Sequence, residues 1–125
     1  MRDAHAWPGD PGRVLVVEDE ALVAFELEDM LHDLGFSEVT VCASYDEAER
    51  ALDGGGFGYA VFDLNLSGVL SVPLVERAHA EGIRTIITSG YERSTVPAAD
   101  LDVPRLTKPY DLAGLARALR AAAAA

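Results

Sequence analysis

Five polar side chains stand at the ends of short, mostly apolar runs of this sequence. They are two adjacent acids, a third acid, a hydroxyl and an amine: Glu18, Asp19, Asp63, Ser89 and Lys108. Carboxylates bind hard cations and act as nucleophiles towards phosphorus. Phosphoryl transfer depends mostly on positioning and charge neutralisation, which hydroxyl and ammonium groups can supply. These residue types therefore indicate metal-assisted chemistry at a phosphoryl group, provided that the fold brings them together.

The run before Asp63 indicates how the fold could do so. Residues 59–62 read Tyr-Ala-Val-Phe, and turn residues follow soon after Asp63. A short apolar run without polar alternation favours a strand buried on both faces, as in parallel sheets. Open α/β sheets bind their ligands outside the carboxyl ends of the strands. Asp63 is therefore predicted at a ligand-binding edge.

The rest of the chain predicts the other elements of an α/β fold. Strands are predicted over residues 13–17, 39–42, 59–62, 84–88 and 103–106, and the last is an edge strand because Pro104 cannot donate to a ladder. Helices follow the first three strands and residue 111, and any fourth helix within residues 91–102 should be short or irregular. The prediction is a doubly wound, five-stranded parallel sheet with right-handed crossovers. Residues 1–12 are predicted to be a flexible lead-in to one domain over 13–125.

At the shared edge of such a sheet, three carboxylates would repel one another and favour a divalent cation. Magnesium takes oxygen ligands, often from only one or two carboxylates. We expect Asp19 and Asp63 to bind it directly, Glu18 to act through water, and the backbone carbonyl of Asn65 to complete the set. The Lys108 ammonium and the Ser89 hydroxyl are then left to contact the phosphoryl oxygens.

Composition excludes several other functions. The formal charge of −11 argues against non-specific binding to nucleic acid, which needs basic patches. No apolar run approaches the roughly 18 residues of a membrane span, and no signal-peptide pattern is present. The single cysteine, Cys42, suits a reducing compartment. We therefore expect a cytoplasmic protein without membrane contact.

Four motifs occur in order at the predicted strand ends. They are Val-Val-Glu-Asp-Glu at 16–20, Phe-Asp-Leu-Asn-Leu at 62–66, Thr-Ser-Gly-Tyr at 88–91 and Lys-Pro-Tyr at 108–110. Together they resemble a response-regulator receiver domain, a flavodoxin-like fold, over about residues 13–120. Asn-Leu-Ser-Gly, the helix at Pro73 and the Ser-Gly-Tyr turn most resemble the FATGUY subgroup of single-domain receivers, named for a Phe-Ala-Thr-Gly-(Gly or Tyr) motif.

The resemblance implies a role for each matching residue. Asp63 would be the phosphoacceptor, and Glu18, Asp19 and Asp63 would hold magnesium. Ser89 and Lys108 would contact the phosphoryl group and take part in the switch.

The chain departs from the family pattern at several of these places. Glu18 replaces the commoner aspartate, and Ser89 stands where threonine is usual. Arg105 occupies the place of the aromatic switch residue, three positions before the lysine. Tyr91 and Tyr110 are the candidates to replace that aromatic ring, with Tyr91 also a candidate lid over the site.

The predicted function is that of a stand-alone receiver in a two-component phosphorelay. A sensor histidine kinase or a histidine phosphotransfer protein would phosphorylate Asp63 with magnesium present. The domain would catalyse only its own phosphorylation and dephosphorylation. It would signal through an unidentified downstream protein or act as a phosphate sink, without contacting nucleic acid.

Two alternatives belong to different functional classes. A haloacid-dehalogenase-like phosphatase also uses a strand-end aspartate and magnesium, but it needs a second aspartate where this chain has Asn65. A degenerate receiver would serve only as a docking module. Labelling by acetyl phosphate separates the three: one phosphoryl group per chain, turnover, or neither.

Overall fold

A computed structural model describes residues 7–90 and 102–124. Its strands are β1 Arg13–Val17, β2 Glu38–Cys42, β3 Tyr59–Asp63, β4 Asn65–Leu66, β5 Val69–Leu70, β6 Arg84–Ser89 and β7 Arg105–Thr107. The helices of this part of the chain are α1 Ala21–Leu34, α2 Tyr45–Gly54, α3 Val72–Ala80 and α4 Leu112–Ala124. None of these helices is long and apolar enough to span a bilayer.

The main sheet confirms the predicted α/β class. Five parallel strands lie in the order β2-β1-β3-β6-β7. The strand order reverses direction at β1, so the crevice at the carboxyl ends of β1 and β3 is the topological switch point, where such sheets bind ligands. The fold thus places a site where the sequence predicts it.

One hydrophobic core lies on each face of the sheet. On one face, α1 and α4 pack against Val14, Val16 and Val61 through leucine and alanine side chains. On the other, α2 and α3 pack against Leu15 and Phe62. Every residue of β3 is buried, as expected for a central strand covered on both sides. This double layer of packing holds the strand ends, and hence the site, in fixed positions.

The structure corrects the predicted elements in two places. The last strand spans Arg105–Thr107 and not residues 103–106, because Pro104 has no N–H and contributes only its carbonyl, which accepts from Ile87 N at 3.0 Å. A short antiparallel hairpin, β4–β5, follows Asp63 where the sequence predicts only a loop. The predicted short or irregular fourth helix falls within residues 91–102, of which 91–101 lie outside the described part of the chain.

Residues 7–12 of the predicted lead-in contact the domain. The backbone N–H of Trp7 donates to the Leu34 carbonyl at 2.8 Å. The indole ring lies 5.7 Å from the Phe36 ring and 6.1 Å from the Tyr59 ring, and the Arg120 guanidinium stacks over it at 4.3 Å. The domain boundary at residue 13 stays a prediction, but Trp7 belongs to the packing of the α1 and α4 face.

We expect Trp7→Ala to lower the free energy of unfolding by about 2 kcal/mol. A fully buried tryptophan costs about 3–5 kcal/mol when truncated to alanine, and Trp7 is only partly buried. Urea denaturation followed by circular dichroism would measure the change, with Trp7→Phe as the control that keeps an aromatic ring. A loss below about 0.5 kcal/mol, the usual range for surface changes, would contradict this packing role.

Candidate functional site

The three predicted carboxylates meet at the switch point of the sheet. Strands β1 and β3 are parallel neighbours, with Val17 beside Phe62, so the residues that follow Val17 lie next to Asp63. One carboxylate oxygen from each of Glu18, Asp19 and Asp63 lies within 4.8 Å of the other two. Strand register alone therefore assembles the acidic cluster.

Lys108 reaches this cluster from the loop that follows the edge strand β7. Its backbone N–H donates to the Ser89 carbonyl at 2.8 Å, which fixes the loop after β7 against the end of β6. Its Nζ donates to Glu18 Oε1 at 2.8 Å and to Asp63 Oδ2 at 3.3 Å. The only lysine of the sequence thus bridges two of the three carboxylates.

The pKa values of Glu18 and Lys108 are both raised above their ordinary values, for different reasons. Glu18 is only 2% exposed, and burial raises its pKa above the ordinary value, although the bonds from Lys108 and the Glu20 N–H oppose the shift. Burial lowers the pKa of Lys108, but the hydrogen bond to Glu18 and the charges of Asp63 and Glu18 outweigh it and raise the pKa overall. Each charge therefore depends on the other to remain ionised in this partly buried place.

The β4–β5 hairpin and the residue that follows it bring into the site two serines for which the sequence predicts no role. The Ser67 hydroxyl donates to Asp19 Oδ2, and the buried Ser71 hydroxyl donates to the backbone carbonyl of Asp63 at 2.7 Å. The Asn65 N–H donates to Asp63 Oδ1 at 3.3 Å. The only signal for this arrangement is the Asn-Leu-Ser-Gly turn, which Asn65 closes by accepting from the Gly68 N–H at 2.7 Å.

The predicted switch residues lie in different environments. Ser89 is buried at the end of β6, and its hydroxyl oxygen accepts a bond from Arg105 Nε at 3.3 Å. Tyr110 packs against the α1 and α4 core, and burial raises its pKa to about 12. Tyr91 lies outside the described residues. The structure therefore joins Arg105 directly to Ser89, while Tyr110 contacts a separate face.

The donor set fits a hard divalent cation. Its atoms are carboxylate oxygens, the ligands that Mg²⁺ prefers. The three carboxylates and the Lys108 ammonium leave two negative charges, which one such ion would neutralise. Glu18, Asp19 and Asp63 would hold the ion, and the backbone carbonyl of Asn65 stays a predicted ligand. When bound, Mg²⁺ would neutralise charge on phosphoryl oxygens.

We expect Mg²⁺ to raise the melting temperature, because the folded chain assembles the carboxylates and the unfolded chain does not. A concentration of about 100 times Kd stabilises by about 2.7 kcal/mol. Thermal denaturation across a magnesium titration would measure this, and Asp19→Asn should remove most of the gain. Exposed Asp29→Asn on α1 is the control. A melting temperature that does not change at saturating Mg²⁺ would contradict the proposed metal site.

Comparison with known proteins finds solved structures that are similar to this chain. The chain shares 34% identity and a TM-score of 0.79 with the structure of SdrG from Sphingomonas melonis Fr1, over 89% of this chain and 95% of that one. A CheY-like response-regulator receiver domain from Methylobacillus flagellatus shares 27% identity and a TM-score of 0.76, over 88% of this chain and 97% of that one. No family model matches the chain.

A curated relative is longer than this chain. YkoG of Bacillus subtilis (strain 168), described as an uncharacterized transcriptional regulatory protein, is 28% identical over 118 residues. The match covers 90% of this chain but spans only about half, 51%, of YkoG.

Fold, site and relatives define one class of protein. The chain belongs to the response-regulator receiver domains, the family of two-component signalling that its four motifs resemble. Membership of the FATGUY subgroup and a stand-alone role both stay predictions.

Proposed function

We propose that this receiver accepts a phosphoryl group on Asp63 from the phosphohistidine of a sensor histidine kinase or a histidine phosphotransfer protein. The observation that carries the proposal is the Asp63 carboxylate, which lies 3.3 Å from the Lys108 ammonium and inside a cluster of three acids that suits Mg²⁺. Phosphorylated Asp63 then signals through a protein partner, or the domain serves as a phosphate sink.

The chemistry is an in-line displacement at phosphorus. An oxygen of Asp63 forms the new P–O bond, while the P–N bond of the donor breaks and leaves its electron pair on the imidazole nitrogen. Asp63 is largely buried, with 7% of its surface exposed. In this proposal Lys108 neutralises the phosphoryl charge, and Ser89 donates to one of the phosphoryl oxygens.

Hydrolysis of the acyl phosphate returns Asp63 to its starting state. The domain acts only on its own phosphoryl group, and this distinguishes it from a phosphatase. The predicted phosphatase alternative needs an acid at Asn65, whose side chain instead closes the hairpin turn through Gly68. We propose the cytoplasm as the location, and the free, buried thiol of Cys42 fits a reducing compartment.

Labelling by acetyl phosphate tests the proposal. With Mg²⁺ present, intact-mass spectrometry should show one added phosphoryl group per chain, and chelation with EDTA should prevent it. Continued release of phosphate far above one equivalent per chain, at a rate typical of enzymes, would favour a phosphatase. Absence of both label and turnover, with the chain folded, would favour a docking module and contradict the proposal.

A further inference from the structure

Arg105 stands on the edge strand of the sheet, beside the residue that ends the neighbouring strand. In the pairing of β6 with β7, Arg105 lies opposite Ile87. Side chains two positions apart on a strand share a face, so Ile87 and Ser89 point to the same side. The Arg105 guanidinium follows this face and reaches the buried Ser89 hydroxyl, with Nε 3.3 Å from Oγ.

The direction of this bond determines what Ser89 can still do. Arginine has only donors, so the Ser89 oxygen must accept, and the hydroxyl keeps its one proton for another acceptor. Hydrogen bonds in series polarise one another, so a cationic donor to the oxygen makes the hydroxyl a better donor. Arg105 therefore both fixes the Ser89 oxygen and leaves its proton available.

The end of β6 lies beside the phosphoacceptor. Asp63 pairs with Thr88, the residue before Ser89. The Ser89 carbonyl accepts from the backbone of Lys108, whose Nζ lies 3.3 Å from Asp63 Oδ2. A phosphoryl group on Asp63 would extend beyond the end of β3, towards the residue that follows the strand partner of Asp63.

We propose that Arg105 is a positioning residue for the phosphoryl group. It holds the Ser89 oxygen through Nε so that the Ser89 proton is donated to a phosphoryl oxygen on Asp63. The inference rests on the proposed function, because its ligand is the phosphoryl group at Asp63. It assigns Arg105 a charge-assisted hydrogen bond that the uncharged ring of a phenylalanine or tyrosine at this position could not make.

Binding of beryllofluoride, a phosphoryl mimic, tests this role when measured by calorimetry at saturating Mg²⁺. Arg105→Met keeps the length of the side chain but removes the donor, and we expect it to weaken binding roughly tenfold, the loss of about one hydrogen bond from a charged group. Arg105→Lys keeps the charge without the planar Nε donor, and it should weaken binding similarly. The affinity for Mg²⁺ alone should not change in either variant.

A double-mutant cycle separates action through Ser89 from an independent effect. In a Ser89→Ala background, Arg105→Met should cause no further loss, because its partner is gone. Additive losses, wild-type affinity in Arg105→Met or Arg105→Lys, or a parallel loss of Mg²⁺ affinity would each overturn the proposal. If the unmutated chain binds Mg²⁺ but no beryllofluoride, the proposed function itself fails. If the unmutated chain binds beryllofluoride and the Arg105 variants bind it equally well, only the proposed role of Arg105 is refuted.

Discussion

Asp63→Asn is expected to abolish phosphorylation of the chain by any small-molecule or protein donor. The amide keeps the size of the carboxylate but has no anionic oxygen to attack phosphorus. The fold should survive, because Lys108 keeps its 2.8 Å bond to Glu18 and the substitution removes repulsion among three acids. The loss of label would therefore report the nucleophile and not the loss of structure.

Acetyl phosphate labelling followed by intact-mass spectrometry would measure this effect. Circular dichroism should show an unchanged fold, and Asp29→Asn on the exposed surface of α1 should label like the unmutated chain. Label that persists in Asp63→Asn would identify another acceptor. Peptide mapping would then test Glu18 and Asp19, the two carboxylates in the same cluster.

The sequence predicts which of the main side chains lie together because each of them stands at the end of a predicted strand. Parallel pairing brings such ends to one edge whatever the details of packing, so Glu18, Asp19, Asp63 and Lys108 meet as expected. The period and length of apolar runs also predict the order of strands and helices. These are local properties of the chain, and local properties are readable from sequence.

The features missing from the sequence prediction depend on long-range contacts or on elements too short to show a period. The β4–β5 hairpin has only two residues in each strand. The Ser67 hydroxyl donates to Asp19, which lies 48 residues away in the sequence. Trp7 likewise contacts Tyr59 at a separation of 52 residues. Nothing near these residues in the chain indicates their partners, so their contacts emerge only with the tertiary fold.

Lys108→Met is expected to destabilise the fold at neutral pH and to make its stability depend more strongly on pH and on Mg²⁺. The substitution keeps most of the aliphatic stem but leaves Glu18 and Asp63 without their shared cation. Removing one partner of a buried ion pair costs about 3–5 kcal/mol, and Lys108 is partly exposed, so we expect a loss of about 2 kcal/mol. Lys108→Arg, which keeps the charge, is the matched control.

The pH dependence of this loss identifies its cause. Burial already raises the pKa of Glu18 above its ordinary value of 4.5, and without Lys108 the pKa rises further. A raised pKa favours the protonated folded state, so Glu18 adds stability below pH 4.5 that is lost as pH rises through the folded-state pKa. Relative to the unmutated chain, the loss of unfolding free energy in Lys108→Met should therefore grow from acid to neutral pH. Urea denaturation across that range would measure it.

Mg²⁺ should stabilise this variant more than the unmutated chain, because the ion replaces the missing positive charge. A deficit that stays constant with pH and is unaffected by Mg²⁺ would assign the loss to packing of the lysine stem and not to the charge at the site.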